Sequence, residues 1–328
     1  MPTTLVLTKS DVSRLLDLDT CISAVEGAFR ALGEGKAPPP GALSYPTVDG
    51  GFHIKAASLR LGSHYFVAKT NGNFFRNADR GLPRIQGVIV LSDAENGTPL
   101  AILDSIEITV LRTGAATAVA AKYLSRPDAQ VGTVAGCGLQ GRVQLRSVSR
   151  VRSLKRAYAY DQDGDAARRF SEEMSRELGF AVEPATALGQ AARESDIIIT
   201  CTPSRQFIVS NGDMRPGSFL AAVGADSHDK QEVDPALLAR SAVVVDNLEQ
   251  CATFGDLHHA IAAGLMRRED VRAELGEVVA GRRAGRKTNN EIVVFDSTGT
   301  ALQDVAAAAV VYQRAKEQGV GTEVELTR

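Results

Sequence analysis

Apolar and polar positions follow two different periodicities in the first part of the chain. Over residues 10–35 the apolar residues recur at helical spacing and predict two helices. Between residues 43 and 103 they form short runs instead, with Gly50-Gly51 and Asn96-Gly97 as turn signals between the runs. The runs predict four strands, which are Phe52–Ala56, Tyr65–Thr70, Gly87–Leu91 and Leu100–Leu103.

From residue 127 on, short apolar runs alternate with helix-capable segments. A long helix rich in alanine and glycine, predicted over Ile106–Leu124, precedes this region. The alternation of strand and helix is typical of a doubly wound parallel sheet of the Rossmann type. The candidate strands are Val131–Ala135, Ala157–Tyr160, Ala181–Glu183, Ile197–Thr200, Phe219–Val223, Val243–Asp246 and Ile292–Asp296.

A last helix, predicted over Ala301–Gln318, follows after the parallel sheet is complete. We expect this helix to cross back onto the N-terminal part of the chain and make that part discontinuous. The sequence therefore predicts an α/β protein with two domains. The first is a discontinuous α+β domain for substrate binding and dimerisation, residues 1–126 with 300–328, and the second is a dinucleotide-binding Rossmann domain, residues 127–299.

A glycine-rich turn follows the first of the predicted parallel strands. The stretch Gly136-Cys137-Gly138-Leu139-Gln140-Gly141 has the G-x-G-x-x-G spacing and opens a helix-capable segment. In a dinucleotide site, Gly136 makes the turn, Gly138 lets the backbone approach the pyrophosphate, and Gly141 lets the helix pack closely on the strand. Asp161 ends the next strand, where an acid accepts from the adenosine ribose hydroxyls and repels a 2′-phosphate. We therefore expect NAD(H), with NADP(H) as the second choice; the alternative is a cofactor-free domain in which Asp161 caps a helix.

Composition and charge exclude several classes of protein. The formal net charge of -2 gives no general attraction to nucleic acid or to an anionic membrane. No apolar run approaches the length of a membrane span, and the N-terminus lacks the features of a signal peptide. The four cysteines form no C-x-x-C pair, and a zinc site at His258-His259 is less favoured than a pair of surface histidines. We expect a cytoplasmic protein with reduced thiols and no bound metal.

Several stretches of the chain carry further motifs. They are Ala68-Lys69-Thr70, Leu111-Arg112-Thr113-Gly114-Ala115, Leu139-Gln140-Gly141 of the glycine turn, Ala222-Val223-Gly224-Ala225-Asp226, Lys230-Gln231-Glu232 and Phe295-Asp296-Ser297-Thr298-Gly299. With these motifs, which span nearly the whole chain, the sequence resembles the ornithine cyclodeaminase/mu-crystallin family. The resemblance implies a homodimeric NAD(P)-dependent enzyme that acts on small α-amino or α-imino acids.

The resemblance also implies roles for particular residues. Lys69 and Arg112 would bind the substrate carboxylate, Thr298 would contact the substrate, and Asp226, with Lys69, would be catalytic. The residues implied for the cofactor are Arg112, Thr113, Gly136, Gly138, Leu139, Gln140, Gly141, Asp161, Thr202, Pro203, Val223, Lys230 and Ser297. A cationic clamp on the carboxylate suits this chemistry, because it fixes the orientation of the α-carbon. The alternatives are an ion pair for Arg112, a solvated strand charge for Lys69 and a strand-end cap for Asp226.

The chain departs from the family's pattern around the first hairpin. Residues 40–45, where many members have a carboxylate-binding arginine, contain no Arg or Lys. We hypothesise that Lys55 or Arg84 restores the missing cation and binds a second substrate carboxylate; otherwise Lys55 is an exposed strand residue. His53 stands about where cyclodeaminases carry a glutamate, and a neutral imidazole cannot pair with an ammonium as a carboxylate does. His53 could be an acid or base near neutral pH, or a strand histidine without a role.

Three functions are compatible with these features. The first is an NAD(H)-dependent oxidoreductase that reduces a small α-imino acid, cyclic or formed from a 2-oxo acid and ammonia, to the L-amino acid, or catalyses the reverse. The second is an ornithine- or lysine-type cyclodeaminase with bound NAD, which would consume no net NADH. The third is a mu-crystallin-like ligand-binding protein, which has less need of a proton donor such as Asp226. We expect the partners to be a small-molecule substrate and a second copy of the chain, without nucleic acid or membrane.

Overall fold

The chain forms two compact units. A computed structural model describes residues 3–326 and, for residue 75, the backbone alone. One unit runs as far as Arg112 and is completed by the residues from Thr300 on. The other unit spans Thr113–Gly299.

Strands and helices are distributed along the whole chain. The strands are β1 (Thr4–Leu7), β2 (Gly41–Thr47), β3 (Gly50–Leu61), β4 (Ser63–Asn73), β5 (Ile85–Asp93), β6 (Pro99–Asp104), β7 (Val131–Ala135), β8 (Arg156–Tyr160), β9 (Ala181–Pro184), β10 (Ile197–Thr200), β11 (Arg205–Val209), β12 (Phe219–Ala222), β13 (Gln231–Val233), β14 (Ala242–Val245), β15 (Ala273–Glu274), β16 (Val293–Asp296) and β17 (Thr322–Val324). The helices are α1 (Lys9–Leu15), α2 (Leu18–Gly33), α3 (Ser105–Leu124), α4 (Leu139–Val151), α5 (Gly164–Leu178), α6 (Leu188–Glu194), α7 (Pro235–Arg240), α8 (Leu248–Phe254), α9 (Asp256–Ala262), α10 (Leu275–Val279) and α11 (Ala301–Gln318). Short 3₁₀ turns occur at Phe75–Arg80, Asn211–Asp213 and Arg268–Asp270.

The first unit is built on a seven-stranded sheet in the order β17-β1-β6-β5-β4-β3-β2. Strands β1 and β6 pair in parallel, and the other neighbours pair antiparallel. Helix α11 packs on β3, β4 and β5, and α2 packs on α11. The sheet therefore has one face covered by helices, on which Val67, Ile89 and Leu91 are fully buried. Its opposite face carries exposed apolar residues such as Tyr45 and Val88.

Helix α11 brings two polar groups into the interior of the first unit. The helix is buried along most of its length, because alanine and valine recur on most of its faces. It ends at Gly319, whose φ of 63° lies in the left-handed region that favours glycine. Gln303 and Asp304, on its first turn, are both 0% exposed.

The second unit is built on an eight-stranded parallel sheet in the order β15-β14-β16-β12-β10-β7-β8-β9. The central strands β10, β12, β14 and β16 are buried at every position, as is typical of a parallel sheet with both faces covered. Strands β7 and β10 are neighbours, although β8 and β9 lie between them in sequence. The strand order reverses at this point, and in open α/β sheets ligands bind at the carboxyl ends of the strands beside such a reversal.

The predicted fold class is confirmed, with a Rossmann-type parallel sheet and a discontinuous α+β unit. Strands β7 and β10 and helix α11 have the predicted bounds. The turn signal at Gly50-Gly51 was wrong, because both glycines lie in β3, paired with Thr47 and Pro46, and the turn is at residues 48 and 49. Within residues 3–326, every helix is too short or too polar to cross a membrane.

Candidate active site

A cluster of buried charges lies between the sheet and the helices of the first unit. Lys69 on β4 places its Nζ 2.7 Å from Asp304 Oδ2, and Arg112 on α3 places its Nε 3.1 Å from Asp304 Oδ1. Arg112 Nη1 also donates to Gln303 Oε1 at 3.0 Å. Lys69 is 2% exposed and Arg112 6% exposed, so both cations are held in a largely water-free site. The structure thus contains the ion pair of Arg112 that was considered as an alternative to substrate binding, and the partner, Asp304, lies on α11.

Lys55 belongs to the same cluster. It lies on β3 directly opposite Lys69 on β4, and directly paired residues project from the same face of a sheet. Lys55 is 9% exposed, so the exposed strand residue expected as an alternative is not what the structure shows. Three cations therefore share this buried site with Asp304, and we call Lys55, Lys69, Arg112 and Asp304 the cationic cluster.

The cationic cluster perturbs the ionisation of its own members. The pKa of Lys69 is lowered to about 7, chiefly by burial; the charge of Asp304 opposes this shift, and the charges of Arg112 and Lys55 add to it. Burial alone would raise the pKa of Asp304, but the charges of Lys69, Arg112 and Lys55 hold it below its usual value. The cluster therefore carries an excess of positive charge that an anion would relieve.

Two further candidates from the sequence, His53 and Arg84, also lie in the first unit. His53 on β3 is half-buried, and its Nδ1 lies 3.3 Å from Ser44 Oγ. Asn71, which pairs with His53 across β3 and β4, accepts a hydrogen bond of 2.6 Å from Ser105 Oγ. Arg84 lies one residue before β5 and is exposed, with its carbonyl accepting from the Phe74 N–H at 2.8 Å. The structure therefore joins Lys55, and not Arg84, to the buried charges.

The glycine turn of the second unit has the geometry that a dinucleotide site requires. Gly136 has a φ of 104°, which a residue with a side chain rarely adopts. A Cβ on Gly141 would lie 2.1 Å from the Gly136 carbonyl oxygen, so only glycine lets α4 start this close to β7. A Cβ on Gly138 would meet nothing within 4 Å, so the backbone there is open to an approaching pyrophosphate. Gly138 is the N-cap of α4, a helix of 13 residues whose N-terminus attracts phosphate.

Several other predicted cofactor residues lie at or just after the carboxyl ends of the parallel strands. Asp161 follows β8, and its carboxylate accepts from the Cys137 N–H at 2.8 Å and the Asp163 N–H at 3.0 Å. The Asp161 carboxylate is thereby fixed beside the glycine turn, so these residues fit an adenosine ribose and a pyrophosphate. The remaining candidates are Leu139 and Gln140 in the first turn of α4, Thr113 in α3, the exposed Pro203 after β10, and Val223 after β12, whose N–H donates to the Thr200 carbonyl at 2.9 Å.

Glu232 ties together the loops that follow β10 and β12. One of its oxygens accepts from the Thr202 N–H (2.6 Å) and hydroxyl (2.7 Å). The other accepts from the Thr200 hydroxyl (2.8 Å) and the Gly224 N–H (2.7 Å). Burial raises the pKa of Glu232, although all four hydrogen bonds favour its charged form. Glu232 is part of the K-Q-E motif, but the sequence did not reveal this role because its partners lie at the end of β10 and in the loops that follow β10 and β12.

Asp226 is held by another predicted cofactor residue. It lies after β12 and accepts a hydrogen bond of 2.5 Å from Lys230 Nζ. His259 Nε2 donates to the Lys230 carbonyl at 2.8 Å and so fixes the backbone of that lysine. The Asp226 side chain is 48% exposed, which leaves it accessible to a ligand.

Asp246, at the end of β14, organises the loop that follows β16. Its carboxylate accepts from the Ser297 hydroxyl (3.0 Å), the Thr298 hydroxyl (3.1 Å) and the Gly299 N–H (2.6 Å). Both predicted hydroxyls are therefore bound to Asp246, which the sequence did not single out. Throughout residues 3–326, His, Cys, Asp and Glu side chains form no group of three or more that could hold a metal ion.

The chain matches the family model of the ornithine cyclodeaminase/mu-crystallin family over residues 3–319. Among curated relatives, the alanine dehydrogenase of Archaeoglobus fulgidus is 38% identical over 328 residues, with 99% of each chain covered. An archaeal alanine dehydrogenase, solved as a dimer with bound NAD, superposes with a TM-score of 0.95 at 38% identity and covers 99% of each chain.

Two further solved structures are similar over nearly the whole chain. The Δ1-pyrroline-2-carboxylate reductase of Thermococcus litoralis, in complex with NADH and L-proline, has a TM-score of 0.92 and 34% identity, covering 98% of this chain and 100% of the other. The iminosuccinate reductase of Paracoccus denitrificans, in complex with NAD+, has a TM-score of 0.91 and 31% identity, covering 99% and 100%. Motifs, fold and similarity over the full length agree, and the chain belongs to the ornithine cyclodeaminase/mu-crystallin family.

Proposed function

We propose that the protein is an NAD(H)-dependent oxidoreductase that reduces a small α-imino acid to the L-amino acid, or oxidises the amino acid in reverse. The observation that carries this proposal is the cationic cluster, in which two buried cations, Lys69 and Arg112, share the carboxylate of Asp304. Buried charges are costly unless they are paired, and the α-carboxylate of an imino or amino acid would complete the pairing. The relatives that act on alanine, pyrroline-2-carboxylate and iminosuccinate support this choice.

The residues of the second unit fit the dinucleotide. Gly138 and the N-terminus of α4 would hold the pyrophosphate, and Asp161 would accept from the adenosine ribose hydroxyls. The Asp161 carboxylate would repel a 2′-phosphate, so we propose NAD(H) as the preferred cofactor and NADP(H) as the poorer one. When bound, the nicotinamide supplies hydride to the imine carbon or takes it from the amine carbon.

The chain supplies orientation and the proton. We assign the α-carboxylate to Lys69 and Arg112, which fix the α-carbon in one orientation. The nitrogen of the imine needs one proton in the reduction, and we assign it to Asp226. Lys230 Nζ holds the Asp226 carboxylate at 2.5 Å, so the group that passes on the proton is in place before substrate arrives. The carboxylate first takes this proton from solvent, to which its side chain is 48% exposed.

A cyclodeaminase is less compatible with the cationic cluster. Ornithine and lysine carry a side-chain ammonium, which the excess positive charge of Lys55, Lys69 and Arg112 would repel. His53, on the same face as Lys55, offers no carboxylate to pair with that ammonium.

The test is NADH oxidation by the purified protein with several imine sources. These are pyruvate, oxaloacetate or 2-oxoglutarate with ammonia, glyoxylate with methylamine, and the five- and six-membered cyclic imino acids, each repeated with NADPH. We expect turnover with NADH, and a loss of about 10²–10⁴-fold in kcat in Asp226→Asn, because the proton donor is removed. If no imine supports NADH oxidation, and ornithine releases ammonia without a net change in NADH, the cyclodeaminase would be favoured instead.

We also propose that the protein is a cytoplasmic homodimer. The outer face of the sheet in the first unit carries exposed apolar side chains, and one relative was solved as a dimer. The largest of these side chains are Leu43, Tyr45, Phe52, Phe66 and Val88. Light scattering should give twice the mass of the chain, and Tyr45→Asp should shift the mass toward the monomer.

A further inference from the structure

Helix α4 carries an arginine whose side chain reaches back to the glycine turn. Arg142 Nη1 donates to the Cys137 carbonyl at 2.6 Å and to the Gly138 carbonyl at 3.1 Å. Both carbonyls belong to the turn that leads into the helix. Arg142 stands just after the last glycine of the G-x-G-x-x-G pattern, which does not itself specify an arginine there. The two hydrogen bonds are therefore an addition to the general motif.

Two residues of α5 hold the guanidinium of Arg142 in place. Its Nε and Nη2 donate to Glu173 Oε2 at 2.8 Å and 2.7 Å. Its central carbon lies 5.4 Å from the centre of the Phe170 ring, which is fully buried. The hydrogen bond from Arg142 holds the pKa of Glu173 below its usual value, so the carboxylate stays charged and compensates the arginine. Arg142 therefore acts on the turn through the direction of its hydrogen bonds more than through net charge.

The carbonyls that Arg142 binds determine where the neighbouring N–H groups point. Both peptides are trans, and in a trans peptide the C=O and the following N–H lie in one plane and point in opposite directions. The Cys137 carbonyl thus fixes the Gly138 N–H, and the Gly138 carbonyl fixes the Leu139 N–H. The first N–H groups of a helix have no partner within the helix, and they are the groups that hold a bound phosphate.

Gly138 makes such a restraint necessary. A peptide rotates through ψ of the residue before it and φ of the residue after it, and glycine has the widest choice of φ. A Cβ on Gly138 would meet nothing within 4 Å, so neighbouring atoms do not block the rotation. Rotation of the peptide between Cys137 and Gly138 would turn a carbonyl oxygen, instead of an N–H group, toward the pyrophosphate.

We propose that Arg142 is a positioning residue for the cofactor. It holds two carbonyls of the turn away from the pyrophosphate, so that the Gly138 and Leu139 N–H groups are free to donate to it. Glu173 has the supporting role of fixing the guanidinium. The inference rests on the proposed function, because it requires that the glycine turn binds NAD(H).

A direct contact between the guanidinium and the pyrophosphate would use the same arginine. In that arrangement Glu173 would compete with the phosphate for Arg142, and Glu173→Gln should strengthen NADH binding. If Arg142 instead holds the turn, Glu173→Gln loosens the guanidinium, and NADH binding should weaken. The sign of the change distinguishes the two arrangements.

The next turn of the same two helices contains a matched ion pair. Arg146 Nε and Nη2 donate to the Glu177 carboxylate at 2.5 Å and 2.7 Å. Arg146 and Glu177 stand four residues after Arg142 and Glu173, so both pairs join α4 to α5. Among the described residues, the Arg146 side chain bonds Glu177 and not the glycine turn. Arg146→Met therefore removes the same kind of interhelical ion pair and leaves the turn intact.

The experiment measures the Kd for NADH by the change in NADH fluorescence on binding. Arg142→Met should raise the Kd about 10–100-fold, the value of one or two charge-assisted hydrogen bonds. Arg146→Met should stay within about 3-fold of the wild type, and Arg142→Lys, which keeps a charged donor, should recover part of the loss. Urea unfolding of the two methionine variants checks that they lose similar stability, since each loses one ion pair between α4 and α5.

Hydrogen exchange of the cofactor-free protein tests the turn itself. Amide exchange in residues 137–141 should be at least about 10-fold faster in Arg142→Met than in Arg146→Met. Equal NADH affinity of the two methionine variants, stronger NADH binding in Glu173→Gln, or unchanged exchange in Arg142→Met would each overturn this inference alone. Absence of NADH binding by the wild type would overturn the proposed function, and the inference with it.

Discussion

The two units bury ionised groups in opposite ways. In the first unit, two buried cations, Lys69 and Arg112, share the carboxylate of Asp304. In the second unit, the buried carboxylates of Glu232 and Asp246 accept hydrogen bonds from N–H and hydroxyl groups of the surrounding loops. Hydrogen-bond donors of this kind favour the charged form of a buried carboxylate. The first unit therefore has charge to offer to a ligand, whereas the second uses charge to fix its own loops.

The charges of the first unit are therefore suited to binding a ligand, whereas those of the second unit support its loops. An excess of buried charge is expensive, and it is retained where a ligand of opposite charge is required. A fully satisfied carboxylate costs less and holds the surrounding loops rigidly. Substitutions in the two units should therefore fail in different ways.

The largest effect is expected from removing a cation of the first unit. Lys69→Met should lower kcat/KM for any α-imino acid by about 10²–10³-fold, because one partner of a buried charge contact is lost. NADH affinity, measured by the change in NADH fluorescence on binding, should stay within about 2-fold. A parallel loss of NADH affinity would contradict the separation between the two units.

A smaller effect on activity, with a larger one on stability, is expected from Glu232→Gln. The amide has one acceptor oxygen, so one pair of donors, either those of Thr202 or those of Thr200 and Gly224, loses its acceptor. The free energy of unfolding in urea should fall by about 1–3 kcal/mol. Glu249→Gln, at an exposed position, is the control; equal stability of the two variants would show that the four hydrogen bonds do not support the loops.

The smallest effects are expected from pH, and they have opposite signs in the two units. Burial, with a contribution from Asp246, raises the pKa of Asp296 from 3.8 to about 7, so the folded state binds more protons than the unfolded state. The contribution of Asp296 to stability is therefore present below pH 4 and is lost as pH rises toward 7. The pKa of Lys69 is lowered from 10.5 to about 7, so the unfolded state binds more protons between pH 7 and 10.5, and stability rises with pH there.

Urea unfolding at pH 5, 7 and 9 would separate the two contributions. Asp296→Asn should flatten the change between pH 5 and 7, and Lys69→Met should flatten the change between pH 7 and 9. Each slope is limited to about 1.4 kcal/mol per pH unit for a single group. Variants with identical pH profiles would rule out these two residues as the source.

The glycine turn could be predicted from the sequence because its requirements are local. A positive φ at Gly136 and a close approach at Gly141 each demand glycine at one position, and the neighbouring strand and helix have strong patterns. The roles of these residues in cofactor binding remain predictions. Strand β2 left no such signal, because all seven of its residues are exposed and no alternation of apolar and polar positions results.

The cationic cluster could be predicted only in part. Lys69 and Arg112 were recognisable by motif, but Asp304 comes from a helix 192 residues further along the chain than Arg112. Lys55 shares a face with Lys69 only in the observed register of β3 and β4. A slip of one residue would turn the side chain of Lys55 to the opposite face of the sheet. Pairing across strands and between distant helices is set by tertiary packing, which a local pattern does not contain.

The late position of α11 has a consequence for how the protein is made. Lys69 and Arg112 leave the ribosome long before Asp304, since the complete Thr113–Gly299 unit is synthesised in between. The nascent sheet must therefore keep its cations hydrated, and its apolar face uncovered, until the last helix is translated. In a chain stalled before Thr300, the parallel sheet of the second unit would be complete, while the first unit would still lack α11. We expect this intermediate to be the one that requires a chaperone.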